Sequence, residues 1–161
     1  VNINGKNSNV LINISSISLN ENNYDVSIHH NNKNCTSNTN IHGLTIDNNS
    51  IYIKNNGYIP NGSEKSVLHQ DNKIIVMNDN KSKIEPNLFI DEYDVEASHG
   101  AYIGKFDEEE LFYLNSRGLD ENKCYELLIN GFLLNEFNII DDVKDDLKKI
   151  IKKYWRWKNE L

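Results

Sequence analysis

Apolar residues in the first hundred positions recur at every second place, and near residue 106 that spacing gives way to a helical one. Val10, Ile12 and Ile14 form one alternating run, and Tyr24, Val26 and Ile28 form another. Ile51 with Ile53, Ile74 with Val76, and Leu88 with Ile90 continue the pattern. Alternation over a few residues marks a strand with one buried face. Clusters of Asn, Ser, Gly and Asp separate the runs, as in Asn31-Asn32-Lys33-Asn34, Asp47-Asn48-Asn49-Ser50 and Asn55-Asn56-Gly57. Such residues tolerate left-handed backbone and hydrogen-bond their own turns. Residues 1–104 are therefore expected to be an array of short strands.

Asparagine bias offers a rival explanation for this half. Of 28 asparagines, 22 fall in residues 1–87, and a low-complexity, disordered segment would have that composition. Disorder would not require a β-branched residue inside every segment, however, and here they recur throughout. The ordered array is preferred. Its form stays open on pattern alone. A sandwich usually carries a few longer strands joined by hairpins, whereas a solenoid has short strands, irregular turns and Asn that stacks from coil to coil. No clean repeat period decides between them.

Residues 105–161 read as three short helices. Asp107 followed by Glu110 has the form of a capping box ahead of Leu111, Phe112 and Leu114. Glu108, Glu109 and Glu110 suit the positive end of the helix dipole, and Gly118 serves as the stop. Asp120 caps a second helix that carries Cys124, Leu127, Leu128 and Phe132 on its apolar side. Asp141 or Asp142 caps a third, with a stripe of Val143, Leu147, Ile150, Ile151 and Tyr154. The seven cations from Lys144 to Lys158 suit a solvated face near the negative end of that helix. Trp155 and Trp157, two places apart, fall on different faces, so one at most packs inward.

Several function classes lose support. Lys plus Arg number 17 against 24 Asp plus Glu, a net charge of −7, which disfavours nucleic acid as the main partner. Apolar runs of four or five residues are far short of a membrane helix. The start at Val1, without a basic stretch or an apolar core, carries no visible signal peptide and suggests a processed chain or one cut from something longer. Cys35 and Cys124 cannot build a disulfide framework, form no C-x-x-C pair, and read as small buried hydrophobes in a reducing compartment. None of His29, His30, His42, His69 and His99 belongs to a zinc-protease motif. No serine-nucleophile elbow and no phosphate loop occur. Motif logic thus favours binding or scaffolding over catalysis.

Residues 93–118 read Tyr-Asp-Val-Glu-Ala-Ser-His-Gly-Ala-Tyr-Ile-Gly-Lys-Phe-Asp-Glu-Glu-Glu-Leu-Phe-Tyr-Leu-Asn-Ser-Arg-Gly. This stretch resembles the C-terminal signature of the SufB/SufD family, the scaffold proteins of SUF iron–sulfur cluster assembly. Asp94, Val95, Ser98, His99, Gly100, Ala101 and Gly104 match its first part. Asp107, Glu108, Glu109, Leu111, Phe112, Tyr113, Leu114, Ser116, Arg117 and Gly118 match its second. The likeness is carried by residues 60–135, and the Asn-rich half joins it by compatible pattern. Ser98-His99-Gly100 is similar to the SufD branch, since SufB carries Glu-His-Glu there. SufB's cluster-assembly cysteine has no counterpart, because no cysteine lies between Cys35 and Cys124. The family cysteine just before Ser-His-Gly is Ala97 here, so no thiolate is expected at that spot.

The resemblance implies a right-handed parallel β-helix followed by a small helical domain, with this chain equivalent to a C-terminal portion. It implies a non-enzymatic scaffold that pairs with a SufB-like subunit through the β-helix and docks the SUF ATPase, a SufC-like protein, through the helices. His99, flanked by Ser98 and Gly100, would lie at the cluster-assembly interface and supply imidazole to iron. Phe112, Tyr113, Arg117 and Phe132 are the candidate ATPase contacts. No stably bound cofactor is implied, only a transient iron–sulfur cluster at the SufB interface. An uncovered solenoid end would also favour a homodimer, and neither nucleic acid nor membrane is expected as a partner. The compartment would be the cytoplasm of a bacterium or the plastid stroma of a eukaryote, chloroplast or apicoplast. The rival from another class is a secreted or surface β-solenoid binding module with no role in cluster assembly.

Overall fold

The computed structural model of the chain describes residues 1–78, 81–135 and 141–159; for 141–143 and 154–159 only the course of the backbone is described. It falls into two compact units, Val1–Gly104 and Lys105–Leu161.

The first unit is a parallel β-solenoid. Its strands are β1 (Asn2–Ile3), β2 (Asn9–Ser18), β3 (Glu21–His30), β4 (Thr36–Thr45), β5 (Ser50–Ile59), β6 (Val67–Val76), β7 (Lys83–Ile90) and β8 (Glu96–Gly104). Consecutive strands do not pair. One sheet runs β1-β3-β5-β7 and the other β2-β4-β6-β8, every pair parallel. Each coil thus contributes one strand to each sheet. Asn9 lies beside Thr36, Thr36 beside Val67 and Val67 beside Glu96, so successive coils take 27, 31 and 29 residues. That unevenness is why no repeat period shows in the sequence.

The alternating isoleucines meet between the two sheets. Ile41, Ile51, Ile53 and Ile74 form one core cluster, packed by Ile14, Tyr24, Val26, Val76 and Ile84. Ile3, Ile28 and Cys35 form a second, nearer the first coil. Cys35 and Cys124 are both buried free thiols.

Asparagine has two structural uses. Asn7, Asn34 and Asp47 hold the left-handed backbone of turns, as does the less suited Lys65. Asn7, Asn34 and Lys65 precede β2, β4 and β6 at equivalent places, and each donates its backbone N–H to the next coil, at Lys33, Glu64 and Asp94 respectively. Other asparagines stack between coils. Asn40 Nδ2 donates to Asn13 Oδ1 at 2.9 Å, Asn87 Nδ2 to Asn56 Oδ1 at 3.0 Å and Asn31 Nδ2 to Asn4 Oδ1 at 2.8 Å. A second ladder, of rings, runs along the outer face. His29, Tyr58 and Phe89 stack in register with centroids 4.2 and 4.7 Å apart.

The second unit contains α1 (Glu108–Ser116), α2 (Glu121–Leu134) and α3 (Asp141–Asn159). Asp107 caps α1, but its carboxylate accepts from the N–H of Glu109 at 2.8 Å, so the expected box with Glu110 is not the bond made. Gly118 ends the helix at φ +88°, a backbone region open to glycine. Asp120 caps α2 by accepting from the N–H of Lys123 at 2.8 Å. Cys124, Ile129, Leu133 and Leu134 are the buried positions of α2, whereas Leu127 is exposed. On α3, Ile151 is buried and Ile150 exposed. The expected caps Asp141 and Asp142, and the side chains of Val143, Tyr154, Trp155 and Trp157, lie outside the described residues.

Candidate functional site

The Ser-His-Gly motif lies within β8, the last strand of its sheet. Side chains alternate across a strand, and the register with β6 assigns each residue a face. Ser98 pairs with His69, His99 with Gln70 and Gly100 with Asp71. Gln70 is buried in the solenoid interior and His69 is partly open outside. Ser98 is therefore outward, and His99 stands in the inward-facing column above Gln70. It is nevertheless exposed, since β8 is the last strand of its sheet among the described residues. His99 lies inside a strand, not at a strand-to-loop corner.

Around it three contacts fix the strand. Ser98 Oγ lies 2.7 Å from His69 Nδ1, and His69 Nε2 lies 3.7 Å from Glu96 Oε1. Asn72 Nδ2 donates to the carbonyl of Gly100 at 3.0 Å, and Asn55 Nδ2 donates to Asn72 Oδ1 at 2.9 Å. A hydrogen-bonded line thus crosses the bore from β5 to the residue after His99. One place further along the outer face, Asp71 accepts from Lys73 Nζ at 2.6 Å and faces His42 Nε2 at 3.8 Å. Among the described residues, no group of three or more His, Cys, Asp or Glu side chains is arranged to hold a metal ion. His99 is thus a single donor of ligand type at the open end.

The last coil also leaves apolar surface uncovered. Phe89, Ile90, Tyr93, Tyr102 and Ile103 are all exposed, Tyr93 almost completely. β7 and β8 are the terminal strands of their sheets, so one edge of each has no neighbouring strand among the described residues.

In the helical unit, Phe112 is 74% exposed and Tyr113 55% exposed. The Arg117 guanidinium sits 5.1 Å from the Tyr113 ring centre, a cation–π contact that holds both outward. Phe132 is placed differently from these three. It is half-buried and meets Phe106 edge-on at 6.2 Å, with Tyr125 tilted against the same ring. Burial, then the carboxylates of Glu121 and Glu108, push the Tyr125 phenol up from its ordinary value. A cleft of 380 Å³ lined by Asp107, Glu109, Glu110, Tyr113, Leu114 and Leu128 opens beside Tyr113. No described helix is long and apolar enough to cross a membrane.

Sequence reasoning singled out His99 but not His69 and Asn72, which bond the residues on either side of it, nor Gln70, its register partner. They lie 27 to 30 residues upstream, and only the register of β6 on β8 brings them together.

The chain is thus a parallel β-solenoid ending in an exposed, histidine-bearing edge strand, with a small helical unit following in the sequence. Residues 1–132 match the family model described as SUF system FeS cluster assembly, SufBD core domain. The chain belongs to the SufB/SufD family. It is similar to the iron–sulfur cluster assembly protein SufD of Bacillus subtilis, 34% identical over 116 residues, 70% of this chain and 26% of the relative. An iron–sulfur cluster assembly SufBD family protein of Pyrococcus horikoshii is 38% identical over 101 residues, 60% of this chain and 22% of that protein. SufD of Escherichia coli is 42% identical over 48 residues, 30% of this chain and 11% of that protein. The chain thus spans about a quarter or less of the length of these relatives.

Proposed function

We propose that this chain works as a SufD-like, non-enzymatic scaffold in SUF iron–sulfur cluster assembly. The open end of the solenoid pairs with a SufB-like subunit, and the helical unit docks the SUF ATPase. The observation that carries the reading is that the family match includes Ser98-His99-Gly100, on a strand whose outer edge is unpaired among the described residues. An unpaired edge flanked by exposed aromatic and aliphatic side chains suits strand addition from a partner. The nascent cluster is cargo at that junction. His99 offers one imidazole to its iron, and the remaining ligands come from the partner. Phe112, Tyr113 and Arg117 form the ATPase contact, aromatic and arginine groups of the kind that dominate interface energies. Phe132, packed edge-on against Phe106 in the same helical unit, is the fourth proposed contact. No cofactor is held stably, and the protein acts where the SUF machinery is, in bacterial cytoplasm or plastid stroma.

Co-expression with the organism's SufB-like subunit and SUF ATPase, followed by anaerobic purification through a tag on this chain, tests the reading. Recovery of both partners is expected. His99→Ala should leave folding and recovery intact and abolish cluster build-up in the complex. Loss of folding in that variant would make His99 structural, and failure to recover either partner would overturn the scaffold role.

A further inference from the structure

The solenoid interior carries buried polar side chains among its isoleucines. Thr39, Gln70 and His99 follow one another in a single inward-facing column, because Thr39 pairs with Gln70 and Gln70 with His99. Such neighbours on parallel strands lie about 4.8 Å apart. Thr39, Asn55 and Gln70 are 1%, 0% and 4% exposed. Yet Thr39 Oγ1, Asn55 Oδ1 and both amide atoms of Gln70 have no hydrogen-bond partner among the described residues. Gly57 makes room for the Gln70 amide, since a Cβ there would lie 3.2 Å from Nε2.

Leaving so many buried polar atoms unpaired is unfavourable, and native interiors satisfy such groups with protein or ordered water. The set is neutral and mixed. It offers amide donors, amide acceptors and a hydroxyl that does both. A ligand that must both donate and accept, is small and carries no charge is water. The Asn55–Asn72–Gly100 line starts at the same Asn55 and ends at the carbonyl beside His99.

We propose that Thr39, Asn55 and Gln70 enclose an internal water site beneath His99, and that Gln70 is a positioning residue through which this water hydrogen-bonds the inward side of the histidine. The functional half rests on the scaffold reading above; the water site itself does not.

Crystals of the chain that resolve ordered solvent test the site. At least one water should lie within hydrogen-bond distance of the Gln70 amide and of Thr39 Oγ1 or Asn55 Oδ1. It should disappear in Gln70→Met, which keeps the length of the side chain without its polar atoms. Thr39→Val should weaken or remove it, and Thr39→Ser should keep it. A dry interior, or a Gln70 amide bonded directly to protein groups, would overturn the site. In the complex with the SufB-like subunit and the ATPase, Gln70→Met and Thr39→Val should form cluster several-fold more slowly, with partner recovery and thermal midpoint unchanged. Thr39→Ser should restore the rate. Equal rates in all variants would overturn the positioning role, and a fall in rate matched by a fall in thermal midpoint would make these residues structural. Failure to recover partners with the unmutated chain would instead count against the scaffold reading.

Discussion

Gly57→Ala places a methyl group against Leu68 in the solenoid interior. Its Cβ would lie 2.5 Å from Leu68 Cδ1 and 2.9 Å from Cδ2, and Leu68 is 1% exposed. Carbon atoms rest at about 3.5–4.0 Å, so the leucine must shift by roughly 1 Å inside a filled core. Overpacking of this kind costs about 1–3 kcal/mol. Alanine also restricts the unfolded chain, which returns about 0.4–1 kcal/mol. A net loss of about 0.5–2 kcal/mol is expected. Leu68→Ala alone should cost about 2–5 kcal/mol through the cavity it leaves. In that background the Gly57→Ala methyl meets the flexible Gln70 amide, with Nε2 at 3.2 Å, so most of its cost should vanish, a coupling of about 1–2 kcal/mol. Urea unfolding followed by the amide resonances of β5 and β6 would report the solenoid separately from the helices. Equal destabilisation by Gly57→Ala in both backgrounds would show that Leu68 is not the obstacle and refute the packing account.

Two further outcomes follow from other parts of the solenoid. His30 is fully buried with Nε2 2.7 Å from Ser37 Oγ, and burial, opposed by a weaker backbone bond to Cys35, lowers its pKa below the ordinary 6.5. Its neutral form is the folded one, so its contribution is complete above about pH 6.5 and lost as pH falls through the lowered value. Unfolding midpoints taken from about pH 7.5 down to about pH 5.5 should fall less steeply in His30→Gln than in the unmutated chain; identical slopes would sink the assignment. Lys65 holds φ +60° at a turn where the two preceding coils use Asn7 and Asn34. Lys65→Asn should therefore raise stability by about 0.5–1 kcal/mol, read as a higher thermal midpoint, and an unchanged or lower midpoint would show that the turn is not strained by lysine.

Much of the strand array was legible because alternation is a local signal. Val26, Ile28, Ile51, Ile53 and Ile74 read as one-sided strands and are the residues that meet in the core. β4 was not legible in the same way. It turns Ser37 and Thr39 inward ahead of Ile41, and polar inward positions break the apolar pattern that marks a strand. Helix ends were legible because caps are short-range chemistry, as at Asp107, Gly118 and Asp120. The exposed Phe112 and Tyr113 could not be told from Phe132, which packs on Phe106, since all three are aromatic residues on helices.

The sequence by itself determined the order of the two units, the turns at residues 31–34 and 47–49 and the motif that marks the family, each of which depends on residues close together along the chain. Asn55-Asn56-Gly57, expected as a turn, instead lies inside β5, where pairing with β3 and β7 overrides its turn preference. The choice of a solenoid over a sandwich, the inward column of Thr39, Gln70 and His99, and the bond from Asn72 to Gly100 were decided only by tertiary structure. The reason is register. Side-chain facing in a sheet has period two, so a slip of one residue between β6 and β8 would turn His99 outward and Ser98 inward. That alignment is set by coils of 27, 31 and 29 residues closing on a shared core, a constraint that no local stretch of sequence contains.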